Sequence, residues 1–437
     1  MITQFTVSNF RSIKDRITLR TLKTGLRESS LLNANSVQVG KQDILKSIVL
    51  FGPNASGKST VLRALKALEF LVMRSSNFKP NETIIAYEPF KLDVEAQESP
   101  VSFSLEFIQA GFQYEYTLSF SKQTIEVETL YYYPNGVQSL VFSRIKGHEI
   151  KFGEYYRGAK KTIEKLLLPN QLFLSKAAEN AVEAVIKPFQ FFSNSLRVFP
   201  FLDDYQQSNV SRLFAKRLAQ QQNSRFSKLF NALICSLDTG IDAVVAKETD
   251  WSLMKLPESM SDEVKKQFQE QYRYSVKARH KLFKNGIEKG IVEFDLEEES
   301  TGTQSLFVIA GIILDALEQG KVLIVDEFEK NLHPGITSFL IKLFHNPVTN
   351  TKQAQLIFAT HDITQLSGDT FRRDQVWFTE KNENGSTNLF RCSDIKGIRL
   401  GTPLDKWYAS GKLGGTHVIN ELNFLLEMQQ HEQEQTV

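Results

Sequence analysis

Gly52-Pro53-Asn54-Ala55-Ser56-Gly57-Lys58-Ser59 sets two glycines, a lysine and a hydroxyl residue at the spacing G-x-x-x-x-G-K-[ST]. These residue types suit a polyphosphate ligand. Glycines let the backbone close round oxygens, so that loop amides point inward at them. Lys58 adds a full positive charge, and the Ser59 hydroxyl can ligate a magnesium ion. Ahead of the loop, Ile48-Val49-Leu50-Phe51 reads as a buried strand. Behind it, Val61, Leu65, Leu68 and Val72 recur at helical spacing. An ordinary glycine-rich turn needs neither flank. The expected ligand is ATP with Mg2+, held by residues 52–59 and by Thr60 beside them.

Binding alone is not hydrolysis, which also needs a held metal and an oriented water. Val322-Leu323-Ile324-Val325 is a continuous apolar run ending in Asp326-Glu327. A carboxylate at the mouth of a buried strand is costly without a partner cation, so Asp326 is expected to join Ser59 on the metal. Strand side chains alternate, which directs Glu327 elsewhere, toward the position of an attacking water. The competing explanation for this acidic pair is a helix cap. His361 follows the next core strand, Leu356-Ile357-Phe358, where an imidazole could bond a γ-phosphate oxygen; alone, it would read as a structural histidine. Zinc is disfavoured, because His280, His333 and His345 have no ligand spacing to it or to each other. Glu299-Ser300-Thr301-Gly302-Thr303-Gln304 opens an apolar helix over 306–317. That makes a second helix N-terminus facing phosphate, on this chain's nucleotide if the fold brings the two together, or on a partner's; by itself it is a helix cap, with Ser300 or Thr303 capping.

These residues need elements to hold them. Residues 1–20 alternate as two edge strands around Asn9-Phe10-Arg11-Ser12-Ile13, which leaves Arg11 either in a polar turn or beside the nucleotide. Alternation at Val101 to Phe107, Phe112 to Phe120 and Ile125 to Thr129, with turns at Ala110-Gly111 and Asn135-Gly136, predicts an antiparallel sheet with one wet face. Tyr131-Tyr132-Tyr133 is either a base-stacking platform or strand-end packing. From 154 to 285 the pattern turns helical and basic, densest at Lys265, Lys266, Arg273, Lys277, Arg279, Lys281 and Lys284, beside Phe268, Tyr272 and Tyr274. Such a stretch is either a solvated face or a nucleic-acid contact. The last third returns to α/β, with a helix after Pro334, a hairpin about Asn384-Gly385, and a Gln/Glu-rich tail after Leu426 expected to fray. Three regions follow: 1–153, an N-terminal ATPase lobe; 154–285, a helical insertion; 286–437, a C-terminal ATPase lobe.

The chain has 437 residues, 41% hydrophobic and 23% charged, with 52 Lys plus Arg against 50 Asp plus Glu. That balance argues neither for nor against a polyanionic partner. Two cysteines, Cys235 and Cys392, form no framework, and no apolar run reaches membrane length. A cytoplasmic protein without a membrane partner is expected.

In this order, the loop, Ser300-x-Gly302, Asp326-Glu327 and His361 resemble ATP-binding-cassette ATPases of the RecF/OLD-like branch, related to the SMC proteins. Asn9-Phe10-Arg11-Ser12 resembles that branch's N-terminal motif, whose arginine sits by the nucleotide. Glu299 to Gln304 is similar to its signature, and Asp326-Glu327-Phe328-Glu329 with Leu332-His333-Pro334 to its Walker B and D-loop. No Q-loop glutamine is identifiable. The ATPase subunits of bacterial anti-phage systems (AbiLi-like, Septu, PARIS) are similar in character. The resemblance implies an α/β ABC-type core of mixed sheet plus antiparallel lobe, with a helical insertion. It implies a homodimer or higher oligomer closed on the nucleotide, Ser300 and Gly302 completing the partner's site. It also implies a separate nuclease or toxin effector, since no Toprim nuclease domain is recognisable, and DNA or a phage protein as trigger. A RecF-like DNA-repair ATPase is the alternative.

Overall fold

The computed structural model describes residues 1–200, 204–237, 239–253, 256–257, 259–366, 370–414 and 425. The tail expected to fray after Leu426 lies outside them. Continuous apolar runs build the centre. Ser47–Phe51, Val322–Val325 and Gln355–Ala359 are buried at every position, as strands covered on both faces must be. They belong to a six-stranded sheet in the order Leu196–Phe199, Val322–Val325, Gln355–Ala359, Ser47–Phe51, Val376–Lys381, Thr387–Arg391. Its first five strands run parallel and the last is antiparallel.

Alternate side chains divide the core in two. Ile48, Leu50, Ile324 and Ile357 face a layer containing the helix Lys58–Arg74, whereas Val49, Phe51, Val325 and Phe358 face the helices Thr301–Gln319 and Pro334–His345. Register is set so that Val325 lies beside Phe358, and Ala359 beside Leu50. The residues that follow those strands therefore emerge at one edge of the sheet, where ligands of parallel sheets bind.

A second, antiparallel sheet covers the first layer, in the order Lys151–Phe152, Ser139–Ile145, Ile125–Tyr132, Phe112–Phe120, Val101–Gln109, Ile2–Ser8, Ile17–Arg20. Ala110 and Gly111 turn one hairpin at φ 50° and 81°, and Asn135 and Gly136 take φ 57° and 84° at the next; positive φ is what such turns require. Ile2–Ser8 is not an edge strand, for it pairs on both sides. The tyrosines pack: Tyr132 sits 5.5 Å from Tyr114 and 5.7 Å from Phe112, while the Tyr133 hydroxyl donates to Glu115.

Residues 154–285 depart from a purely helical reading. Among the described residues six α-helices are present, including Asp204–Gln220 and Arg225–Cys235. But Leu196–Phe199 is a strand of the mixed sheet, too short to show periodicity. Ala243–Glu248, Tyr274–Lys284 and Ile287–Asp295 form a three-stranded antiparallel sheet. Here Val276 and Ala278 point inward and the charges outward, so charge density hid the alternation. Part of the dense basic stretch is paired within the chain: Arg273 with Glu248, Lys277 with Asp295, Arg279 with Glu293 and Lys281 with Glu288.

Gln355 joins the two sheets. Fully buried, it accepts from the Ile2 amide at 2.8 Å and donates to the Ile2 and Leu45 carbonyls at 3.0 Å each. Gln355→Leu removes the side-chain partner of the buried Ile2 amide and Leu45 carbonyl, at about 1–3 kcal/mol for each group stranded, while the Ile2 carbonyl keeps the Thr21 hydroxyl. A loss of roughly 2–4 kcal/mol is expected, read as a lower urea midpoint at unchanged slope.

Candidate functional site

The loop between Ser47–Phe51 and Lys58–Arg74 is made by close approach. Gly57 has φ 113°, and a Cβ there would meet Thr387 Oγ1 at 2.2 Å. A Cβ on Gly52 would meet Thr379 Oγ1 at 2.3 Å. Ser56 is buried; its hydroxyl lies 2.6 Å from that of Thr379, and its carbonyl accepts from Thr387 Oγ1 at 2.8 Å. Ser12 links Thr387 at 2.9 Å to Thr60 at 3.0 Å. Tyr408, against Phe51 and Phe378, bonds the Gly52 backbone. Pro53, Asn54 and Ala55 form the crest, Asn54 and Ala55 exposed, with Ala55 at φ 61°; such backbone persists where surrounding packing enforces it.

Lys58 begins the helix and is nearly sealed. Its ammonium donates to the Gly52 and Pro53 carbonyls at 2.8 and 3.1 Å. Burial lowers its pKa to about 8, opposed by the negative charges of Asp326, Glu329 and Glu327. Asp326 is buried as well, its pKa raised by that burial and lowered by a hydrogen bond to Ser59. The strand mouths therefore bring Lys58, Ser59 and Asp326 together as the sequence anticipates. These residues fit a magnesium polyphosphate: a hydroxyl and a carboxylate for a hard cation, an ammonium and a glycine-bounded loop for the phosphates.

Glu327 is exposed beside this group, but not by strand alternation. The strand ends at Val325, and Glu327 has φ 50° with its amide donating to Asp326 Oδ1 at 3.2 Å. A turn, which the spacing does not encode, aims it outward. His361 is exposed at the next strand mouth, its amide bonded to Glu329 Oε1 at 2.7 Å. Arg11, at φ 52°, forms a bidentate pair with Glu88. It lines a cavity of about 380 Å³ with Ser12, Thr60, Phe90, Lys91 and Lys381. Its lining includes Thr60 of the loop helix and Lys381 of the strand that pairs with Ser47–Phe51 on the side opposite Gln355–Ala359.

Ser300, not Thr303, is the cap of Thr301–Gln319, accepting from the Thr303 amide at 3.1 Å. A Cβ on Gly302 would come within 2.9 Å of the Asn331 carbonyl. Among the described residues, no hydrogen bond or ion pair joins Ser300 or Gly302 to residues 52–59. Sequence reasoning missed Thr379 and Thr387, which no local signal marks, and quoted Ser12 within Asn9-Phe10-Arg11-Ser12 without giving it a role. It quoted Glu329 within Asp326-Glu327-Phe328-Glu329 without giving it a role; its place three residues after Asp326 was the available signal.

A family model described as "AAA domain, putative AbiEii toxin, Type IV TA system" matches residues 47–367. No curated protein matches the sequence. Solved structures similar to the chain include the SMC head domain from Thermotoga maritima, at 13% identity and TM-score 0.39 over 89% of this chain and 98% of that one. Two others are an SMC head bound to the C-terminal winged-helix domain of ScpA (12% identity, TM-score 0.40, 89% and 97% covered) and a coiled-coil-extended SMC head bound to the C-terminal domain of ScpA derived from Pyrococcus furiosus (11%, 0.39, 89% and 96%).

With the Lys58 pKa lowered to about 8, the site is cationic there only below that pH. Bound phosphates raise the value again, so triphosphate affinity should hold steady to about pH 8 and then fall, by at most about tenfold per unit. Calorimetric titrations between about pH 6.5 and 9.5 test this. A flat profile means that Lys58 does not face the phosphates.

Proposed function

The chain belongs to the family described as "AAA domain, putative AbiEii toxin, Type IV TA system", and on that premise we propose that it binds and hydrolyses ATP to control a separate nuclease or toxin subunit in a bacterial anti-phage system. The observation that carries the reading is the meeting of Ser59 with Asp326 beside the buried ammonium of Lys58. Residues 52–60 hold the triphosphate. Ser59 and Asp326 hold Mg2+, which supplies Lewis-acid charge to the phosphate oxygens. Glu327, exposed on its turn next to the buried acid, orients the attacking water, and His361 at the neighbouring strand mouth senses the γ-phosphate. Arg11 takes the nucleoside side, in the cavity that runs on from Thr60.

Ser300 and Gly302 are not bonded to this chain's own loop, so their role is to close the nucleotide of a second copy. The assembly is a homodimer or higher oligomer in the cytoplasm that switches as ATP is consumed. DNA or a phage protein is the trigger. The toxin–antitoxin wording of the family description supports an effector under such control.

Lys58→Ala should abolish nucleotide binding. Glu327→Gln should keep ATP bound, slow turnover by about 100-fold or more, and shift the protein to a larger species on sizing with ATP. Phosphate release at the wild-type rate from Glu327→Gln would remove Glu327 from the mechanism. A monomer that hydrolyses ATP fully would remove the shared site.

A further inference from the structure

We propose that Glu329 is a positioning residue: its carboxylate fixes the His361 segment against the turn that follows Asp326, a turn that Asn331 joins to the start of the Thr301–Gln319 helix. The proposal rests on the hydrolytic reading above. Two segments meet at this side chain. Oε1 accepts the His361 amide at 2.7 Å, across 32 residues of sequence. Burial raises the Glu329 pKa, opposed by the His361 amide and, more weakly, by the Thr360 hydroxyl. Oε2 is sealed from solvent, with no donor at hydrogen-bonding geometry. On the other side, Asn331 Nδ2 donates to Ser305 Oγ at 3.3 Å, and the Asn331 carbonyl blocks any side chain at position 302.

The turn does not need the side chain in order to close. Its backbone is held by Lys330 N to Glu327 O at 3.0 Å and by Leu332 N to Glu329 O at 2.8 Å. What the carboxylate adds is a bond to a different strand mouth, the one that carries the sensor. Its charge is also felt at Lys58. A displacement where Ser300 and Gly302 meet a second copy would thus pass through Asn331 and Glu329 to His361. Buried acceptors with specific partners at a strand mouth commonly serve such orientation.

The test is a double-mutant cycle in the full-length protein. Glu329→Ala should lower kcat by about tenfold or more while leaving ATP affinity and the melting temperature near those of wild type. Glu329→Gln, which retains an acceptor oxygen for the His361 amide, should recover most of that loss. In the double variant with His361→Ala, the two effects should fail to add, because one acts through the other. Additive losses, or a Glu329→Ala protein that loses stability and affinity together, would overturn the role. If the wild-type protein binds ATP without hydrolysing it, the hydrolytic reading itself falls, and the role falls with it. Turnover by wild type with additive losses defeats only the Glu329 assignment.

Discussion

An ammonium and a carboxylate lie below the surface at the edge of one sheet, and neither is tenable alone. Burial drives the Lys58 pKa down and the Asp326 pKa up, each toward its neutral form. Their mutual field opposes that drift; the Ser59 hydrogen bond also favours ionised Asp326, and the charges of Glu329 and Glu327 favour the ammonium, though Glu327 repels Asp326. Such a pair contributes little to stability compared with an apolar substitute, so its retention points to use. Placing it requires Asp326's strand and the loop strand to end at the same level, with one strand between them. The register of Val322–Val325, Gln355–Ala359 and Ser47–Phe51 does this.

The loop is shaped from outside as much as from within. The hairpin Val376–Arg391 lays Thr379 against Gly52 and Thr387 against Gly57, close enough to leave no room for a Cβ. Ser12 joins that contact to the loop helix. The glycines are therefore demanded twice, by the ligand the loop would cradle and by the hairpin behind it. Gln355 fixes the antiparallel sheet to the same framework, so the N-terminal strand, Ser12 and Arg11 move with the core.

Corrections to the sequence reading share a cause. Leu196–Phe199 reads as part of a helical region because four residues cannot display a period; only pairing with Val322–Val325 defines it. Several charges of the stretch at 265–284 pair with acidic residues of neighbouring strands, which spacing along the chain cannot show. Strand alternation predicts that Glu327 diverges from Asp326 toward an attacking water; the strand has already ended at Val325, and a positive φ sets its direction instead.

The sequence by itself determined the phosphate loop, the apolar strands that flank and follow it, the hairpin turns at Ala110-Gly111 and Asn135-Gly136, and the identity of Lys58, Ser59 and Asp326. Each is written in a short window, where glycine freedom, strand burial or turn chemistry acts on neighbours. Tertiary structure decided which side chains press on that loop and which carboxylate accepts the His361 amide. Thr387 bonds Ser56 across 331 residues, and Thr379 meets it across 323. A hydrogen bond at that separation is fixed by strand register and packing, and spacing along the chain carries no trace of it.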